Sequence, residues 1–237
     1  MLALGGIGGG VRYAFTTRAG GVSGAPFDSL NLSLDVGDDP AAVATNRRRV
    51  LDRLGLPGAV WLKARHGGEV VEVDDPDIGV PQVDAMVTAQ PGLPLAALSA
   101  DCALIVLGDP GAGVIGVAHC GRPGLTAGVV ANTVGALRDL GAASIRAAIG
   151  PSVCASCYEV PRELAEAVWR AVPASRARTR DGRFAIDIAA GITAQLAGEG
   201  VELVRHVAGC TREDPALFSY RRDRVTGRMA AIVWRSA

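Results

Sequence analysis

The chain has 237 residues, 49% of them hydrophobic, and its 24 basic side chains cancel its 24 acidic ones. That is enough apolar material for one large core or two small ones, and the charge balance offers nucleic acid no basic surface beyond the short run Arg47–Arg49. No apolar run reaches membrane-spanning length, and five cysteines without framework spacing argue against a disulfide-stapled secreted protein.

In chain order, MLALGGIGGG lacks the basic flank and apolar length of a signal peptide, so a reducing cytoplasm is the expected location. Val11–Phe15 reads as a strand. It runs into a long glycine-rich polar stretch that carries Arg18. Stretches of this kind inside a domain are often functional loops, although a single loop arginine is more commonly just solvated. Asp38-Asp39-Pro40 opens a helix with an Asx cap and a first-turn proline. Its apolar positions are Ala42, Val43, Val50, Leu51 and Leu54, and Gly55 ends it. Arg47–Arg49 fall on its wet face.

Val60–Leu62 is a short strand candidate. It leads into a Gly-flanked turn bearing His66, one of only three histidines. Val70–Val73 and Asp84–Thr88 read as strands, and Pro91–Pro94 as a turn. The centre of the chain is Ala103–Leu107 and Val114–Ala118, joined by the linker Gly108–Gly113. Neither run alternates with polar residues, so both faces of this hairpin should be buried. A symmetric hairpin pairs Leu107 with Val114 and Ala103 with Ala118. Cys102 then opposes His119, with β-carbons roughly 4.5–5.5 Å apart. Together with His66 they make a His/Cys/His set with an open fourth position, the pattern of a catalytic zinc site. The spacing is too wide to decide this without the fold.

After His119 comes Cys-Gly-Arg-Pro-Gly and a helix over Leu125–Leu140. Free N–H groups at its start, with Arg122 beside them, suit an anion. Ile145–Ile149 is a strand. Cys154 and Cys157 form a Cys-x-x-Cys pair, but the next helix begins near Pro161, so they read as two structural thiols rather than a redox motif. Pro161–Val172 and Ile186–Leu196 are helices, the latter capped by Asp187, with Pro173–Arg183 a mobile linker between them. Val201–Val207 and Met229–Trp234 are strands. Arg221 and Arg222 mark a second cationic point. There is no internal repeat. The mixed order of strands and helices favours one α+β domain over residues 1–237.

The segments FTTRAGGVSGAPFDSLNLSLDVGDDPAAVATNRRRV, the His66-Gly67 turn, SADC, GVAHCG, IGPSVCASCYEV and LFSYRRDRVTGR occur in this order. Together they resemble the multicopper polyphenol oxidase (laccase-like) family, also known as the YfiH or peptidoglycan-editing-factor family. The resemblance implies a layered α/β/β/α sandwich with mixed sheets and a metal site at His66, Cys102 and His119. It also implies phosphorolysis of adenosine, inosine and methylthioadenosine, and deamination of adenosine. The sequence departs from the family's usual pattern in two places. Ala64 stands where Gln is usual before the first metal histidine, and Cys120-Gly121-Arg122-Pro123-Gly124 stands where Ala-Gly-Trp-Arg-Gly is usual.

The expected protein is a zinc-dependent purine nucleoside phosphorylase with adenosine deaminase activity, with Cu2+ the alternative ion. His66, Cys102 and His119 would be catalytic ligands. Arg18, Arg122, Arg221 and the Gly121–Leu125 helix start would hold phosphate. The partners are then a purine nucleoside and phosphate, not nucleic acid or membrane. Three histidines are too few for a multicopper centre, and the deaminase signature with Pro-Cys-x-x-Cys is absent. Two other classes stay open: a Cys102–His119 hydrolase or amidase acting on cell-wall peptides, and a divergent, non-catalytic metal-binding member.

Overall fold

Strand pairing builds two large mixed sheets stacked face to face, with helices on the outer faces, and a separate two-stranded antiparallel ribbon. The computed structural model describes residues 2–235. In chain order its elements are β1 (Leu2–Gly8), β2 (Val11–Thr16), α1 (Pro40–Leu54), β3 (Val60–Trp61), β4 (Val70–Glu72), β5 (Ala85–Thr88), β6 (Leu95–Ser99), β7 (Ala103–Asp109), β8 (Val114–Cys120), α2 (Arg122–Thr126), α3 (Val129–Asp139), β9 (Arg146–Ile149), α4 (Arg162–Ala171), β10 (Arg176–Arg178), β11 (Phe184–Ile186), α5 (Ile188–Gly198), β12 (Glu202–His206), α6 (Tyr220–Asp223) and β13 (Met229–Arg235). One sheet has the order β1-β2-β13-β6-β3 and the other β12-β9-β7-β8-β5-β4. In each, parallel and antiparallel pairs are mixed.

Side-chain alternation places three apolar layers. Tyr13, Phe15, Leu95 and Val233 from the first sheet meet Met86, Leu104, Val106 and Val117 from the second. The opposite faces of β7 and β8 (Ala103, Ile105, Leu107, Ala118 and Cys120) pack under Leu125, Val134, Leu137, Ile188 and Ile192. On the far side, Val50 of α1 joins Leu30, Leu32, Ala96, Ile232 and Trp234. The result is the expected α/β/β/α sandwich, with every residue of β7 and β8 buried.

The cap of α1 forms as its sequence predicts. Asp39 accepts from the Ala41 N–H, and Gly55 ends the helix at φ 70°. Arg47 leaves the wet face, however. Its guanidinium lies 4.3 Å over the Trp61 ring and donates to Leu32 O at 2.9 Å. Burial there pulls its pKa down to about 10, against the raising effect of Asp35.

One strand was not anticipated and three further expectations need correction. Leu95–Ser99 is a strand joining β13 to β3. The Leu125–Leu140 helix is two helices, because Gly128 adopts φ 79° between α2 and α3. Pro173–Arg183 is no loose linker. It holds a 3-10 turn and β10, which pairs with β11, and Arg178 lies 3.9 Å over the Phe184 ring. In the central hairpin, Asp109 rather than Leu107 pairs with Val114, a shift of two residues. The loop tightens because the Asp109 carboxylate accepts N–H groups from Gly111, Ala143 and Ser144.

Candidate metal centre

The two-residue shift keeps Cys102 and His119 on the same face, since side chains repeat with period two. It sets His119 opposite Leu104, so continuing the ladder one step past Ala103–Cys120 puts Gly121 opposite Cys102. Gly121 leaves room beside the thiol, since a β-carbon there would lie 2.8 Å from Cys102 Sγ and 3.4 Å from His66 Cδ2. His66 arrives from the loop after β3, with φ 61°. One ligand atom each of His66, Cys102 and His119 lie within 4.8 Å of one another. The two imidazole rings meet edge to face, with centroids 4.8 Å apart.

Asp84, fully buried at the start of β5, organises this set. Its Oδ1 lies 3.0 Å from His119 Nδ1 and accepts the His66 N–H at 2.9 Å. Its Oδ2 accepts the Gly67 N–H at 2.6 Å. A carboxylate only accepts, so His119 donates from Nδ1 and turns Nε2 toward Cys102. Burial acts to raise the Asp84 pKa, but the bonds from His119, Gly67 and His66 hold it below the ordinary carboxylate value.

The half-buried Cys102 thiol is acidic in the metal-free protein. Burial pushes its pKa up, but the neighbouring charges and hydrogen bonds of His119 and His66 outweigh this and bring it to about 6. For His119, burial disfavours the cation, but the Cys102 thiolate and Asp84 raise its pKa to about 9. Cys120, one residue on, points into the helix-side core, and burial keeps its thiol well above the ordinary value.

The centre opens on a cavity of about 540 Å³. Ala64, Tyr158, Tyr220, Arg122, Arg221, Arg224 and Arg228 are among its lining residues. Arg221 stacks 4.4 Å over the Tyr158 ring, and its backbone N–H is held by Asp101 Oδ2 at 2.7 Å. The other oxygen of Asp101 accepts from Thr211 at 2.6 Å. Thus Arg122 and Arg221 reach the site, whereas Arg18 is brought elsewhere: it pairs with Asp28 at 3.0 Å and covers Phe218 at 4.9 Å. The segment after Gly121 is only the five-residue α2, with no side-chain cap. Cys154 and Cys157, read from the sequence as structural thiols, do not stand alone. They sit with Cys210 and Glu213 in a second cluster.

A family model described as multi-copper polyphenol oxidoreductase laccase matches residues 12–236. The chain belongs to this family. It is 52% identical over 234 residues to the purine nucleoside phosphorylase ORF3 of Streptomyces griseus, with 95% of each chain covered. It is 45% identical over 229 residues to purine nucleoside phosphorylase Rv2149c of Mycobacterium tuberculosis, covering 94% of this chain and 92% of that one. Among solved structures, it superposes on a Neisseria meningitidis protein of the DUF152 group with a TM-score of 0.89. That match has 33% identity and covers 100% and 99% of the two chains. YlmD from Geobacillus stearothermophilus gives 0.85 at 34% identity, covering 96% and 93%.

In this laccase-like family member, sequence reasoning had not singled out Asp84 or Arg228. Asp84 carried one usable signal, an acid heading an apolar strand. Arg228 lines the cavity, and among the described residues its guanidinium donates to the carbonyls of Thr226 at 2.9 Å and Gly227 at 3.1 Å and pairs with no carboxylate. Among the described residues, no helix is long and apolar enough to cross a membrane.

Proposed function

We propose that the chain is a metal-dependent purine nucleoside phosphorylase that also deaminates adenosine. It would act on adenosine, inosine or methylthioadenosine with phosphate, in the cytoplasm. One observation carries the reading. A His66/Cys102/His119 donor set lies in a cavity that arginines and tyrosines also line, in a chain about half identical to relatives bearing the phosphorylase name.

Two imidazoles and one thiolate, gathered where Gly121 leaves space, fit zinc better than a hard cation. Cu2+ is the alternative occupant, and elemental analysis separates the two. His66, Cys102 and His119 would hold the metal, which would supply Lewis acidity for the deamination. The chain's own residues do the rest. Asp84 fixes the His119 ring and the His66 backbone. Arg122, Arg221 and Arg228 bring positive charge to a phosphate ion. A phosphate oxygen then bonds to the ribose anomeric carbon as the bond to the purine nitrogen breaks, and that electron pair leaves with the base. Tyr158, whose ring carries Arg221, and the exposed Tyr220 line the cavity where the purine would sit.

A second reading has one geometric observation in its favour. The Cys102 thiol and the His119 imidazole lie within 4.8 Å of each other, the pairing of a cysteine nucleophile, and the imidazole acts to lower the thiol's pKa. The test incubates purified protein with inosine or adenosine, with and without phosphate. Free base that appears only with phosphate supports phosphorolysis, and inosine from adenosine supports deamination. Neither product at high enzyme concentration overturns the proposal. Fast alkylation of Cys102 without any chelator then favours the hydrolase.

A further inference from the structure

We infer that Cys154, Cys157, Cys210 and Glu213 form a second metal site, closed and structural, that takes zinc. One ligand atom from each lies within 4.8 Å of all the others. Around tetrahedral zinc, with Zn–S about 2.3 Å, sulfur atoms stand about 3.7 Å apart. The donors need move inward by only about an ångström.

The backbone is already folded for this. Cys154 and Cys157 bracket a 3-10 turn in which the Cys157 N–H donates to Cys154 O at 2.9 Å. Cys210 and Glu213 bracket a matching turn, with the Glu213 N–H donating to Cys210 O at 3.1 Å. Each turn therefore points two donors, three residues apart, to one side. A parallel bridge between Ser152 and Cys210 clamps the turns together, with the Thr211 N–H donating to Ser152 O at 3.1 Å. The Cys154 N–H points at Cys210 Sγ at 3.4 Å, a contact that suits a thiolate.

The cluster's own polar contacts are weak. The Cys157 thiol donates to Glu213 Oε1 at 3.3 Å, and the same oxygen takes the exposed Arg180 at 2.7 Å. Zinc would displace the protons of all three thiols to solvent, and Arg180 would offset part of the negative charge of three thiolates and a carboxylate. Cys157 is buried, Cys154 and Cys210 are half-buried, and Glu213 is exposed, so an ion can enter from solvent. Cys154, Cys210 and Glu213 border a surface depression separate from the His66 cavity. Four protein donors leave no open position, which marks a structural rather than catalytic site. The ion would tie the loop carrying Tyr158 to the loop whose Thr211 holds Asp101, and so brace two walls of the first cavity.

The test counts metal on the full chain, purified under reducing conditions without chelator. Wild type is expected to hold two zinc ions, and Cys154→Ser, Cys210→Ser and Cys102→Ser one each. Cobalt-loaded Cys102→Ser should keep thiolate-to-cobalt absorption, and Cys210→Ser in that background should lose it. Should the cysteine variants fold poorly, Glu213→Gln alters only the exposed ligand and should weaken retention of one ion against a chelator. Full wild-type zinc content in folded Cys210→Ser overturns the inference, as does a disulfide among these cysteines in the reduced preparation. Because the Cys102 ion is counted separately, these outcomes are independent of whether the first centre phosphorolyses nucleosides.

Discussion

Asp84 and His119 are joined by a 3.0 Å contact that is fully buried, and the same carboxylate also accepts the His66 and Gly67 N–H groups. One acid therefore sets both the ring of one candidate ligand and the backbone of another. Asp84→Asn puts an amide NH2 against groups that themselves donate. A lost orienting partner of this kind typically costs 10- to 100-fold in metal affinity, and an unsatisfied buried donor costs about 1–3 kcal/mol in stability. Chelator competition and urea unfolding check both effects. Unchanged zinc affinity would remove Asp84 from the centre.

The acidity of Cys102 gives a pH signature in metal-free protein. Its thiolate forms as pH rises through about 6, and the imidazolium facing it persists to about 9. Iodoacetamide labelling of Cys102, followed residue by residue by mass spectrometry, should rise with a midpoint near pH 6. Zinc-loaded protein should resist labelling. In His119→Ala the midpoint should move up toward the ordinary thiol value of about 8.5. A midpoint already near 8.5 in the unsubstituted metal-free protein would contradict the ion pair.

Arg228 is a half-buried cation whose guanidinium, among the described residues, bonds to the Thr226 and Gly227 carbonyls and to no carboxylate, and it lines the cavity. Burial lowers its pKa, while Asp101 and Cys102 act to raise it. A charged hydrogen bond is worth about 1.5–3 kcal/mol, so Arg228→Gln should raise the phosphate KM by about tenfold or more. Arg122→Gln and Arg221→Gln should act in the same direction. Arg18→Gln should leave it unchanged, because that guanidinium is spent on Asp28 and Phe218. Initial rates at varied phosphate check the set, and a phosphate KM in Arg228→Gln equal to the parent's would argue against an anion subsite there.

Why Cys102 and His119 were legible together and their support was not comes down to sequence distance. They lie on one hairpin, so a symmetric pairing of its strands put them on one face, whereas His66 sits far back in the chain and joins them only through the fold. The register was wrong by two residues, and an even slip leaves the faces unchanged. The loop contacts that set the true register come from Ala143 and Ser144, more than thirty positions from Asp109. β2 and β13 pair across almost the whole chain, and β1 is glycine-rich, so the five-stranded sheet had little local signature. The same holds for the second cluster. Cys-x-x-Cys was visible at Cys154 and Cys157, but Cys-x-x-Glu at Cys210 gains meaning only once the Ser152–Cys210 bridge forms.

Gly121 offers the cleanest steric test of the first centre. Its backbone sits at φ −86° and ψ −179°, an extended conformation that any residue adopts. Alanine there adds no backbone strain, only a methyl group. That methyl would stand 2.8 Å from Cys102 Sγ, 3.4 Å from His66 Cδ2 and 3.7 Å from His119 Cε1. These are the three residues expected to surround the ion, so the methyl fills space the ion needs and pushes the thiol aside. Gly121→Ala should fold, with a urea midpoint close to the parent's when both are compared metal-free, and should lose the zinc expected at the His66 centre together with activity. The zinc owed to the Cys154 cluster should stay. Circular dichroism, elemental analysis and the nucleoside assay on one preparation decide the matter. A folded Gly121→Ala that keeps full zinc and full turnover would mean that the reacting centre lies elsewhere in the cavity.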